Sequence, residues 1–259
     1  YPPMHWHSWN SFNGENAVNS TNMHEMADTL LSSGMAALGY DTLNVVCNGW
    51  TGRDSSGRLM ENKKLWPQGI KALGDYLHAN NLKLGCYTSP ATQNCCGEPG
   101  SLGYEDIDMQ TFADWGCDHV MVDWCHAYVD PMQTRDEYAK IGAAIAKTNR
   151  SMLYGIWPGG FGKSWKWSEA VGGNYWRTAA DITNSWESVL FNFDTAYSIP
   201  GIAEFSKPGH FTFLDQMVVG VVPGPGHIGG PGLSLEEARS HMTMWSIAAS
   251  PLMICNDVR

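Results

Sequence analysis

Apolar, strand-like runs alternate with helix-like stretches from one end of this sequence to the other, and few architectures accept that order. Strands are predicted at Met4–Phe12, Thr42–Asn48, Leu82–Ser89, His119–Cys125, Ser151–Trp157, Tyr175–Asp181, His210–Met217 and Pro251–Asn256. Helical periodicity falls between them, at Met23–Ser33, Pro67–His78, Asp106–Trp115, Thr134–Thr148, Ser185–Tyr197 and Leu235–Ala248. Repeated β–α units imply a parallel sheet, and eight strands imply a closed (β/α)8 TIM barrel. An open doubly wound sheet would carry a glycine-rich phosphate turn after its first strand, and this sequence has none there. A length of 259 residues suits one catalytic barrel spanning 1–259. The chain ends at Asn256-Asp257-Val258-Arg259, with no residues for an eighth helix, so it is expected to be truncated after strand eight. The Gly/Pro-rich stretch Val222–Gly232 reads as an irregular loop.

Charge narrows the partners. A net charge of −10 argues against nucleic acid and against an anionic membrane, both of which reward a basic surface. No apolar run approaches the roughly 18 residues of a membrane span. The 12 Trp and 10 Tyr are an excess for one domain. Many will fill the core, but flat amphipathic rings also suit the apolar faces of sugars. Seven cysteines are scattered without zinc-ligand spacing, and His5-x-His7 reads as ordinary strand alternation, so no metal site is expected. The start at Tyr1 and the sequons Asn19-Ser20-Thr21 and Asn149-Arg150-Ser151 favour a processed, secreted or extracytoplasmic protein.

In such barrels chemistry sits at the C-terminal strand ends. There the sequence offers Trp6, Cys47-Asn48, Tyr87, Asp123, Trp157, Arg177 with Asp181, and Asp215. Two carboxyls flanking a scissile bond are what glycoside hydrolysis needs. Asp123 closes the apolar run His-Val-Met-Val-Asp-Trp-Cys, where an acid is costly unless used or paired; its bland alternative is a structural cap on the loop. Asp181 closes Trp-Arg-Thr-Ala-Ala-Asp, and its bland alternative is an N-cap for the next helix.

At these residues the chain resembles glycoside hydrolase family 27, the melibiase-like α-galactosidases. Pro2–Asn10 resembles the family's PPMGWNSWN opening, and Pro67–Leu73 its P-x-G-[IL]-K-x-L helix. Cys95–Tyr104 resembles TCxxxPGSxGYE, Val122–Cys125 the nucleophile strand K-[YF]-D-x-C, Trp176–Asp181 the W-R-x-x-x-D acid/base motif, and Ser250–Arg259 the [AS]-P-L-x-x-x-x-D-[IVL]-R stretch. The resemblance implies Asp123 as nucleophile and Asp181 as acid/base in a retaining double displacement, with no cofactor. It implies Arg177 on the sugar 2-hydroxyl, with Trp6, Cys47, Tyr87, Trp157 and Asp215 around the substrate. It also implies a Cys95–Cys125 disulfide and, after the barrel, a β-sandwich domain; Cys86, Cys117 and Cys255 read as buried thiols.

Departures from the family pattern bear on the sugar. The Asp-Asp pair that grips the 4- and 6-hydroxyls of galactose is absent from Asn44–Trp50, Met121 replaces a sugar-binding lysine, and WNDPDML has become Phe211–Met217. The expectation drawn is an oligo- or polysaccharide substrate with an altered glycone, most specifically isomaltose release from an α-1,6-glucan; a β-L-arabinopyranoside is another candidate. The alternatives are an ordinary α-galactosidase in which other loops, such as Gly159–Trp167, hold the sugar instead, and a non-catalytic carbohydrate-binding barrel.

Overall fold

The computed structural model describes residues 1–12, 18–127, 131–222 and 228–259. Eight strands form one parallel sheet: β1 Met4–His7, β2 Thr42–Asn44, β3 Lys83–Thr88, β4 Cys117–Asp123, β5 Leu153–Trp157, β6 Tyr175–Arg177, β7 Phe211–Phe213 and β8 Leu252–Ile254. From β1 to β7 each strand pairs with the next in sequence, and β8 pairs with β1. Met217, just past β7, bridges to Ile254 and donates its N–H to the Met253 carbonyl at 2.7 Å, which brings the two remaining edges together. The fold is a (β/α)8 TIM barrel.

The longer helices are α1 Ser20–Ser32, α2 Ile70–Ala79, α3 Glu105–Trp115, α4 Pro131–Lys147, α5 Trp186–Tyr197 and α6 Leu235–Ile247. Side-chain caps set several starts. The Asn19 and Ser185 side chains accept the N–H groups of Asn22 and Ser188, and Ser234 and Glu237 cap each other reciprocally. Between β5 and β6 the chain makes only 3-10 turns, Phe161–Lys166 and Glu169–Val171. An antiparallel hairpin, Trp50–Arg53 with Leu59–Glu61, follows β2 and was not foreseen. Among the described residues no helix is long and apolar enough to cross a membrane. The loop expected at Val222–Gly232 lies partly outside the described residues; its far end is tied down by the Gly232 N–H on the Asn184 carbonyl at 2.9 Å.

Strands run shorter than their apolar stretches because the chain leaves the sheet as soon as its polar groups find other partners. The first stretch, predicted as strand to Phe12, turns helical at Trp9–Phe12. Inside the barrel a polar layer lies beneath the strand ends. The Asn44 amide donates to the Trp6 carbonyl at 3.0 Å, which turns its oxygen toward His119 Nδ1 at 2.5 Å; His119 Nε2 then accepts the Tyr175 hydroxyl at 2.7 Å. Glycines make room for this layer. A Cβ on Gly85 would sit 1.7 Å from Asn44 Oδ1, and one on Gly155 would sit 2.2 Å from the Tyr175 hydroxyl.

Three disulfides fasten the sheet and its loops. Cys95–Cys125 matches the expected pair, with Cα atoms 5.0 Å apart. Cys86–Cys117 joins β3 to β4 with Cα atoms 6.0 Å apart, which corrects the reading of both as thiols. Cys47–Cys96 joins the end of β2 to the loop after β3. Cys255 remains a buried thiol, as expected.

Gly85→Ala should cost about 1–3 kcal/mol by forcing Asn44 out of the polar layer. The urea midpoint measures it, and an unchanged midpoint would contradict the packing described.

Candidate active site

The strand ends open into a cleft of about 240 Å³. Asp123 ends β4 at its floor. Its Oδ1 accepts the Trp124 N–H at 2.8 Å, while Oδ2 accepts the Tyr87 hydroxyl at 2.9 Å and lies 3.0 Å from the sulfur of disulfide-bonded Cys95. The capping role is therefore real but occupies one oxygen only. Burial raises the Asp123 pKa; the Trp124 N–H and the charge of Arg177 hold it down, the charge of Asp181 adds to the rise, and the Tyr87 hydrogen bond opposes it. Burial, reinforced by the charge of Asp123, raises the Tyr87 phenol well above its ordinary value, so it stays a donor.

Arg177 ends β6 with its side chain 4% exposed. One Nη contacts Asp181; the other lies 2.9 Å from Asp215 Oδ2 and donates to the Ala179 carbonyl at 3.0 Å. Burial opposes its charge, but Asp215, Asp181 and Asp123 outweigh burial and keep the guanidinium ionised. Asp181, in the loop that follows, has a side chain 87% exposed at the rim. It does not cap α5, because Ser185 does. Asp215 lies past β7 in the left-handed region at φ 82°, a conformation that needs support in a non-glycine residue. Its support is dense: its carboxylate accepts the N–H groups of Ile182 and Gln216 at 2.8 and 2.7 Å, and its carbonyl accepts the Trp245 indole at 2.7 Å.

Of the residues expected here, Tyr87, Asp123, Trp157, Arg177, Asp181 and Asp215 all line the cleft. Trp6 and Cys47 do not. Period-2 alternation turns Trp6 out of the barrel interior into the core behind the strand, where its indole donates to the Asn256 carbonyl at 2.9 Å. Cys47 is buried and committed to Cys96. Trp9, three residues beyond Trp6 in the same motif, takes the wall position, and Val46 takes the place at β2. His7 and Asn10 also line the cleft and were missed: with Trp6 expected in the pocket, period-2 alternation turned His7 away from it. None of Gly159–Trp167 lines the cleft. Among the described residues the single cluster of three metal-ligand types is Cys95, Asp123 and Cys125, and its two sulfurs are joined to each other.

Carboxylates drawn from three strand ends around one buried arginine are the kind of groups that glycoside hydrolysis uses. The chain belongs to glycoside hydrolase family 27: the family model for alpha-galactosidase A matches residues 1–259. It is 38% identical over 243 residues to alpha-galactosidase A of Cellvibrio japonicus, covering 90% of this chain and 57% of that protein. It is 36% identical over 242 residues to the alpha-N-acetylgalactosaminidase of Rattus norvegicus, covering 91% and 56%. The crystal structure of alpha-galactosidase I from Mortierella vinacea superposes with a TM-score of 0.86 at 29% identity, covering 99% of this chain and 67% of that one. The chain thus spans little more than half the length of the curated relatives it matches.

Burial raises the Asp215 pKa from 3.8 to about 6, against the pull of Arg177 and the two N–H groups. Folding therefore favours the protonated acid, a contribution whole below pH 3.8 and lost as pH rises through about 6. The Tm difference between Asp215→Asn and the unmodified protein should consequently shift in the variant's favour across that window. A difference independent of pH would count against the shift.

Proposed function

We propose that this barrel cleaves α-galactosides with retention, Asp123 serving as nucleophile and Asp181 as acid/base. The observation that carries the reading is the unequal placement of two carboxylates in one cleft, Asp123 on the floor and Asp181 exposed at the rim, with Arg177 between them. A nucleophile must face the anomeric carbon in a dry, oriented setting, whereas an acid/base must reach the leaving group and then water. Asp181 protonates the glycosidic oxygen as an Asp123 oxygen bonds to the anomeric carbon, and the aglycone departs at the rim. Asp181, now a carboxylate, takes a proton from water, which attacks the anomeric carbon and releases Asp123. Two inversions return the original configuration.

The names of the relatives support an α-galactoside, or its N-acetylated counterpart, over the isomaltose-releasing activity expected from the sequence. Assembly of both carboxylates in one cleft argues against a purely binding barrel. Three disulfides favour an extracytoplasmic site of action.

In the whole protein, Asp123→Ala should abolish release of galactose from an α-galactosyl oligosaccharide, and azide should restore turnover of an aryl α-galactoside as the inverted galactosyl azide. Asp181→Ala should lose about 10²–10⁴-fold on the oligosaccharide and less on an aryl galactoside with a good leaving group. Wild-type rates in either variant would exclude the assignment.

Attack requires Asp123 ionised, so kcat/KM rises with pH through its pKa. Tyr87→Phe removes a hydrogen bond to the charged form and should move the acidic limb to higher pH. A limb that stays in place would mean that Asp123 does not set it.

A further inference from the structure

His7 reaches from β1 across the barrel to β5, where its ring stacks on Trp157 with centroids 5.6 Å apart and planes 16° from parallel. The two rings line the same cleft. His7 Nδ1 accepts the Trp9 N–H at 3.1 Å, which leaves the hydrogen on Nε2. Nε2 is buried, finds no partner among the described residues, and belongs to a residue only 1% exposed. The Asn10 amide nitrogen is a second buried cleft donor in the same condition. A buried N–H is costly unless something meets it, and here the something must bring an acceptor. Among the described residues the carboxylates of the cleft are Asp123, Asp181 and Asp215, so the β1 and β2 side offers neutral groups only.

We infer that His7 is a specificity-determining residue, its Nε2–H donating to an oxygen of the glycone on the side remote from the scissile bond. The inference rests on the glycosidase reading above. Asp181 stands at the exposed rim, so the aglycone leaves there and the far end of the glycone points toward the floor that His7 and Trp157 build. The partner recognised is a neutral pyranose hydroxyl: three carboxylates against one guanidinium disfavour an acidic sugar. Burial lowers the His7 pKa to about 3, so the ring remains neutral and keeps this donor through the working pH range. A donor reads the lone pair of the sugar oxygen, where a carboxylate would read its hydrogen, so this side of the cleft can do without acids.

The test uses the whole protein, with aryl α-galactoside and its 4-deoxy and 6-deoxy analogues as substrates, and free galactose and the matching deoxy sugars as ligands in calorimetry. Wild type should discriminate against at least one deoxy analogue. His7→Phe keeps a ring on Trp157 but removes the donor; it should lose about tenfold in kcat/KM on the parent and cleave that analogue as well as the parent. His7→Gln returns an N–H and should restore part of the discrimination, separating hydrogen bonding from ring packing. If His7→Phe discriminates as the wild type does, the inference is overturned, and equally if neither protein binds any of the sugars. If wild type binds galactose in a His7-dependent way yet hydrolyses nothing, the glycosidase reading fails while the role of His7 as a sugar contact stands.

Discussion

The cleft depends on one buried cation. Arg177 touches Asp181 and Asp215 and bears electrostatically on Asp123, and its charge opposes the burial that raises the pKa of both Asp123 and Asp215. Its influence is also architectural. The Arg177 guanidinium holds the Ala179 carbonyl, and Asp215 holds the Ile182 N–H, so the loops after β6 and β7 are pinned to each other through the same ion pair. Position and charge state are therefore set together. An altered guanidinium would move Asp181 as well as change its field.

A charged cluster of this kind needs a stiff base, and the barrel supplies one in layers. Directly below lies a close-packed set that includes Met121, Trp157, Tyr175 and Phe213, with the His119 network continuing from Tyr175 toward Asn44 and Trp6. Each hydrogen of that network has a defined direction, so the tautomer of His119 follows from the orientation of Asn44. Above, Cys95–Cys125 and Cys47–Cys96 tie the loops after β2, β3 and β4 around the nucleophile. Rotamers locked from below and loops tied from the side are what hold reacting groups to useful tolerances.

The strands were legible because both faces of a barrel strand are buried, which leaves near-continuous apolar runs. Their ends were less so, because where a strand stops depends on side-chain partners distant in sequence, such as Asp215 for the chain at Ile182. Asp181 illustrates the limit: a helix cap and a rim acid look alike in sequence, and only the capping bond from Ser185 separates them. Trp6 and Trp9 were confusable for a similar reason. One sits on the outward phase of β1 and the other on the helical turn that follows, and a strand prolonged to Phe12 conceals the change. Of the three cysteine pairs only Cys95–Cys125 was foreseen, through resemblance, since spacing alone cannot choose among the connectivities that seven cysteines allow.

The substrate expectation drawn from sequence rested on subtraction, and the names of the relatives back its alternative, an ordinary α-galactosidase, better. Carboxylates missing at the end of β2 suggested a changed sugar, as though each sugar hydroxyl belonged to one strand. A (β/α)8 barrel does not work that way, because eight loops converge on one space and a hydroxyl that one loop no longer reaches can be held by another. Here the unassigned donors come from β1 and the turn after it, on the opposite side of the barrel from Trp157, where a family motif shows only an opening segment. They are also donors, whereas the missing groups were acceptors. Since a hydroxyl can serve as either, the same sugar can be held by a site of inverted hydrogen-bonding sense. Absence of a family's polar residues therefore carries little weight on substrate until the cleft is filled in from every strand end.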